Sequence, residues 1–211
     1  TLSMLIIVRW YIKVMRFFIF QNMENKEALR KQYIQRRLAL TLDQIEEYSL
    51  QIANKALEID IWNHSNYHIF LPIEKQKEIN TEYLLHILQG KDKNVVISRS
   101  NFKDFSMSNY LLTDQTKLTV NTYGIPEPDE NGIAIDEKSI DVVFVPLVAV
   151  DKFGNRIGYG KGFYDRFLKK CRPDVLKIGL SFFTPREFKI DPSSTDVGLD
   201  YIIYRQGVLK V

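Results

Sequence analysis

The chain has 211 residues, 45% of them hydrophobic and 26% charged, with 29 lysines and arginines against 26 acids. That length holds one domain with a sizeable core, and the composition is ordinary for a soluble globular protein. The net charge of +3 arises within residues 1–22, where Arg9, Lys13 and Arg16 stand without an acid. The rest carries 26 charges of each sign, which argues against a general nucleic-acid binder.

In residues 1–22 those three charges interrupt every long apolar run. A spanning helix needs about 20 mostly apolar residues, and a secretory signal needs a clean apolar core; neither is expected, and no membrane partner with them. The segment is expected to be an atypical N-terminal extension, with the working domain at 23–211. The single cysteine, Cys171, cannot form an intrachain disulfide. It has no histidine near it and reads as a packing residue. A reducing, cytoplasmic setting is consistent with this.

Residues 25–40 read as a helix with Leu29, Tyr33, Ile34 and Leu38 on one stripe, the spacing of an amphipathic helix. Lys26, Arg30 and Arg37 project on one side of it; a solvated basic face is the ordinary reading of such a pattern. Thr41 and Gln44 form a capping box opening a second helix with Ile45, Tyr48, Ile52 and Ala56 inward. Tyr67 to Leu71 reads as a strand ended by Pro72, with His68 a satisfied sheet residue. Asn80 or Thr81 caps a helix that stops at Gly90. Asn94 to Ser98 is a further strand. Residues 101–123 read as irregular and aromatic, suited either to an apolar pocket or to the core. Two prolines make Tyr123 to Pro128 a rigid turn.

Val142 to Val145 is a short apolar run of the kind buried in parallel sheets. Pro146 limits it, because proline cannot donate to a ladder. A turn at Asp151–Asn155 follows, then Gly158, Gly160 and Gly162 at every second position, then an amphipathic segment from Phe163. Strand, glycine-rich loop and helix together suit a phosphate: glycine permits close backbone approach, and the helix start offers free N–H groups along a favourable dipole. Arg156 and Lys161 can add charge, and Asp165 can cap the helix or hold a magnesium ion between phosphates. The spacing matches neither a Walker loop nor the dinucleotide fingerprint. Leu176 to Phe182 and Tyr201 to Tyr204 complete the strands. Alternating strands and helices predict an α/β protein: a single-domain, three-layer α/β/α fold with a mainly parallel, Rossmann-like sheet, its site at the strands' carboxyl ends.

The run from Val145 to Asp151, followed by Gly154 to Arg166, resembles the signature of the 5-formyltetrahydrofolate cyclo-ligase (methenyltetrahydrofolate synthetase) family. Met23 onwards resembles the usual start of that family, and the resemblance extends from Asn25 to Tyr204. It implies ATP-dependent conversion of 5-formyltetrahydrofolate to 5,10-methenyltetrahydrofolate, with ATP as co-substrate, magnesium, and a reduced folate as partner. By the same resemblance Lys26 and Arg30 contact ATP phosphates, as do Arg156, Gly158, Tyr159, Gly160, Lys161, Gly162, Phe163 and Tyr164. Arg156 and Lys161 are the expected catalytic cations, Glu78 and Tyr164 the expected folate contacts, and Asp165 and Asp196 the expected metal ligands. Thr195 stands where the family usually has histidine. A monomer is expected. A phosphate-binding isomerase or a non-catalytic folate or nucleotide binder would use the same scaffold; ATP-dependent turnover separates them.

Overall fold

The computed structural model of the chain describes residues 25–211; the expectation for residues 1–22 lies outside that range. Helix α1 spans Lys26–Leu38, and Asn25 caps it by accepting from the Glu27 N–H. Helix α2, Leu42–Ala56, opens on the full Thr41–Gln44 capping box. Strand β1, Asn66–His68, is followed by a 3₁₀ turn at Glu74–Gln76 and helix α3 at Glu82–Gly90. Asn80 accepts from the Glu82 N–H at its start, whereas the Thr81 hydroxyl turns away and donates to the Phe70 carbonyl.

Strands β2 (Asn94–Asn101) and β3 (Ser106–Leu111) then form an antiparallel hairpin. Residues 101–123, expected to be irregular, therefore contain two regular strands, β3 and the short β4 (Leu118–Val120). Ser106, Ser108 and the buried Asn109 mask the β3 pattern, because it lies toward a sheet edge where polar residues are tolerated. The Pro126–Pro128 segment is likewise a strand, β5, paired with β4. Its Glu127 is buried and accepts from the Ser100 N–H of β2. A short β6, Ala134–Ile135, ends this half.

The second half supplies β7 (Val142–Pro146), the hairpin β8 (Ala149–Val150) and β9 (Arg156–Ile157), and helix α4 (Phe163–Lys170). Strands β10 (Leu176–Ser181), β11 (Tyr201–Tyr204) and β12 (Gly207–Lys210) close the chain. The main sheet runs β12-β11-β10-β7-β1-β2-β3-β6. Its five central strands are parallel and its outer ones antiparallel, so the α/β, mainly parallel expectation holds. Pro146 pairs at the very end of β7 opposite Leu180, a position where its missing N–H is least missed.

Both faces of the central strands are covered. On one, Ile52, Ala53, Leu84 and Leu88 of α2 and α3 pack on Tyr67, Phe144 and Ile178. On the other, Phe167 and Leu168 of α4 pack on Val96, Val143 and Val145. Helix α1 belongs to neither layer. Its Leu29 and Tyr33 pack on Val148, Ala149 and Ile157 of the β8–β9 hairpin, which places it beside the carboxyl ends of β7 and β10. Cys171 is buried among the α4 cluster, where burial pushes its thiol up to about 12, consistent with packing. His68 is fully buried in β1, bonded through Nε2 to the Ser98 hydroxyl, and burial lowers its pKa to about 3.

Candidate active site

The parallel strands β1, β7 and β10 end in a shallow cleft, partly open to solvent. Phe70, Ile79, Leu147, Val148, Phe182 and Phe183 make it mostly apolar, and Glu78 and Arg37 add one charge of each sign. The carboxyl ends of parallel strands are where open α/β sheets bind their ligands. An apolar cleft with a few fixed polar groups is the usual form of a small-molecule site.

The glycine loop lies at the rim. Gly160 and Gly162 have φ of +92° and +72°, in the left-handed region where a side chain is strained. A Cβ on Gly160 would also stand 3.3 Å from the Arg30 guanidinium. Arg30 reaches across from α1 and donates through Nε to the Gly158 carbonyl at 2.8 Å. Gly162 precedes α4, so the start of that helix opens beside the loop.

The loop's one large side chain turns toward the cleft. The Tyr159 ring is partly exposed, but its hydroxyl accepts from Arg37 Nη2 at 2.6 Å and donates to Glu78 Oε1 at 2.5 Å. Glu78 Oε2 accepts from the Ile73 N–H. Burial raises the Glu78 pKa above the usual carboxylate range, against the opposing pull of those two donors and the Arg37 charge. Burial, and next the Glu78 charge, likewise push the Tyr159 phenol up. The 3₁₀ turn just before Glu78 is fixed to the end of α1, where Lys77 Nζ donates to the carbonyls of Leu38 and Leu40.

A second set surrounds Arg156, whose side chain is only 6% exposed. Its Nη2 pairs with Asp165 Oδ1 at 2.7 Å, and its Nη1 donates to the Val197 carbonyl. Asp165 Oδ1 also accepts from the Val197 N–H, which stitches the α4 start to the segment carrying Asp196. Asp196 pairs with Lys26 at 2.6 Å and accepts from Ser193. Those contacts hold its carboxyl below the usual range, outweighing the burial that would raise it.

Among the described residues no cluster of three His, Cys, Asp or Glu is poised to hold a metal, so there is no all-protein cage. Magnesium is commonly held by one or two carboxylates together with substrate phosphates and water. Asp165 and Asp196, with 24% and 29% of their side chains exposed, suit that form of site. Each must share its oxygens with a cation.

The structure thus brings Lys26 to Asp196, Arg156 to Asp165, Arg30 to Gly158 and Gly160, and Tyr159 to Glu78. Lys161 stands apart, exposed, with its ammonium 5.7 Å from the Phe105 ring. Tyr164 packs against His68 and Phe167. Phe163 packs edge-on to Phe102 and Phe105 outside the cleft. Arg37 is the residue that sequence reasoning passed over. It is 5% exposed, not solvated. Its helical spacing from Lys26 and Arg30 was the only available signal.

A parallel α/β sheet, a cation-flanked glycine loop and a partly apolar cleft with a buried carboxylate make up a site of the class suited to a phosphate beside a second, partly apolar ligand. Comparison with known proteins narrows that class. Residues 22–205 match the 5-formyltetrahydrofolate cyclo-ligase family, and the chain belongs to it. A probable 5-formyltetrahydrofolate cyclo-ligase of Schizosaccharomyces pombe is 28% identical over 183 residues, covering 79% of this chain and 88% of the relative. The Haemophilus influenzae 5-formyltetrahydrofolate cyclo-ligase is 30% identical over 167 residues, covering 76% and 87%. The solution structure of Aquifex aeolicus 5,10-methenyltetrahydrofolate synthetase superimposes with a TM-score of 0.73 at 26% identity, covering 88% of this chain and 92% of that one. The chain is accordingly an ATP-dependent ligase of folate one-carbon chemistry.

Proposed function

We propose that the chain converts 5-formyltetrahydrofolate to 5,10-methenyltetrahydrofolate at this cleft, with the glycine loop holding ATP. The formyl oxygen is a poor leaving group. Its attack on the γ-phosphorus breaks the bond to the bridging oxygen, releases ADP and leaves the oxygen as a phosphate ester. N10 then forms a bond to the formyl carbon and gives up its proton, and inorganic phosphate departs with the C–O electron pair. Phosphoryl transfer asks for positioning and charge stabilisation more than for covalent chemistry by the protein.

In this reading the loop N–H groups from Gly158 to Tyr164, with Lys26 and Arg30, receive the phosphates. Arg156 and Lys161 stabilise the transferring group. Glu78 orients the folate in the apolar cleft, and Tyr164 packs on a ligand from the start of α4. Asp165 and Asp196 would hold magnesium against the phosphates, where it neutralises charge. The single observation that supports the reading most is the Tyr159–Glu78 contact, because it joins the phosphate loop to the apolar cleft. The setting we propose is a cytoplasmic monomer; among the described residues no helix is long and apolar enough to cross a membrane.

The test is direct. Purified protein, 5-formyltetrahydrofolate and Mg-ATP are mixed and the methenyl chromophore is followed. Product is expected only with ATP, with one phosphate released per methenyl formed. A folded protein that binds both ligands and forms no product would overturn the catalytic reading.

A further inference from the structure

Tyr159 sits between two binding regions. Its backbone belongs to the glycine loop, whose carbonyl at Gly158 is tied to α1 by Arg30. Its hydroxyl reaches Glu78 in the cleft. Arg37 decides the polarity of that contact. A guanidinium can only donate, so the Tyr159 oxygen accepts from Arg37 and its own proton must point at Glu78. Glu78 is 5% exposed, and its oxygens accept from Tyr159 and from the Ile73 N–H. Each oxygen keeps a lone pair, so the carboxylate is held in orientation and can still accept from a ligand.

We propose that Tyr159 is a positioning residue that couples the two substrates: its hydroxyl holds Glu78 for the folate, and nucleotide on the glycine loop that carries Tyr159 steadies that hold, so folate binds the cleft more tightly as a result. The inference rests on the ATP-dependent cyclo-ligase reading. Tyr159 lies between Gly158, whose carbonyl Arg30 holds, and Gly160, whose φ is +92°. The hydroxyl already stands on Glu78; phosphates that take the loop N–H groups would stiffen the backbone behind it, leaving less of that ordering for the second ligand to supply. Coupling of this kind is reciprocal. Arg37 serves as the support on the far side, tying the hydroxyl to α1.

The experiment measures the Kd for 5-formyltetrahydrofolate by calorimetry, with and without saturating magnesium and a non-hydrolysable ATP analogue. The ratio of the two values is the readout, so a change common to both drops out. Wild type is expected to bind folate at least about fivefold more tightly with nucleotide, the lower end of ordinary site-to-site coupling. Tyr159→Phe keeps the ring and removes only the hydroxyl; its ratio should fall below about twofold. In turnover its folate KM should rise more than its kcat falls. Arg37→Met, which removes the donor from the other side, should lower the ratio as well, and serves if Tyr159→Phe does not fold. A ratio unchanged in the folded variants, or a wild-type ratio near one, overturns the coupling while methenyl formation still stands. Wild type that neither binds folate nor forms product overturns the functional reading and the coupling with it.

Discussion

Replacing Arg156 by alanine should separate catalysis from folding. The guanidinium is almost fully buried and bonds both Asp165 and the Val197 carbonyl. Breaking a fully buried ion pair costs about 3–5 kcal/mol. Asp165 keeps the Val197 N–H and is 24% exposed, so water can reach it and the expected cost is about 2 kcal/mol. For a chain of this size that lowers Tm by about 4–8 °C, well short of unfolding at assay temperature. The catalytic loss should be larger. An arginine that stabilises charge on a transferring phosphoryl group contributes about 10³-fold or more, or about 4 kcal/mol. Methenyl formation at 20 °C should therefore fall at least about a thousandfold in kcat/KM, in a protein whose melting curve stays cooperative. Arg156→Lys should recover part of the charge but not the two-armed geometry. Turnover by the alanine variant within tenfold of wild type would refute the charge-stabilising role.

Glu78 makes a pH-dependent prediction. Its folded pKa is raised by burial, so the stability it contributes is present below about pH 4.5 and lost as pH rises through the folded value. The Tm of Glu78→Gln should therefore rise relative to that of wild type as pH rises from about 4.5 through the folded value, while folate turnover is lost; a Tm difference that does not change with pH would contradict this. His68 has the opposite linkage, because its folded pKa is lowered to about 3. Unfolding should take up close to one extra proton between pH 6 and 4, and His68→Asn should remove that proton from the pH dependence of stability. Gly154 has φ of +82° with the Leu199 carbonyl 2.9 Å from where a Cβ would stand. Gly154→Ala should lose about 2–3 kcal/mol, or about 4–12 °C in Tm, and a melt within 2 °C of wild type would overturn that account.

Local signals carried most of the architecture. The Thr41–Gln44 box, the apolar β7 run and the glycine punctuation before α4 each specify their element through contacts a few residues apart, and each appears where expected. Strands β3 and β12 were not legible. The first has serines at 106 and 108 and a buried asparagine, Asn109, on the inward side where an apolar residue would mark a strand, and the second depends on a turn at Arg205–Gln206 that has no glycine or proline of its own. The candidate site was legible as a set of residues and not as a set of pairs. Lys26 and Asp196 are 170 positions apart, and Arg37 and Tyr159 are 122 apart. No periodicity connects such residues. Arg37 shows the cost most clearly: on a helix of mixed charge a basic residue reads as solvated, and only its distant tyrosine explains its burial.

Helix α1 joins the body through a small apolar contact on the β8–β9 hairpin. Its other ties include Tyr33 and Arg36 to the Phe183 ring of the cleft, Lys26 to Asp196, Arg30 to Gly158, Arg37 to Tyr159, and carbonyl groups at its end to Lys77. Nearly all of these are contacts of the site. A helix held in this way can open without melting the sheet, and every ligand that tightens the site also tightens the helix. The amide protons of α1 should therefore exchange with solvent faster than those of β7 in the free protein, and slow most when both substrates are bound. The helix would then act as an occupancy gauge, readable by mass without any chromophore.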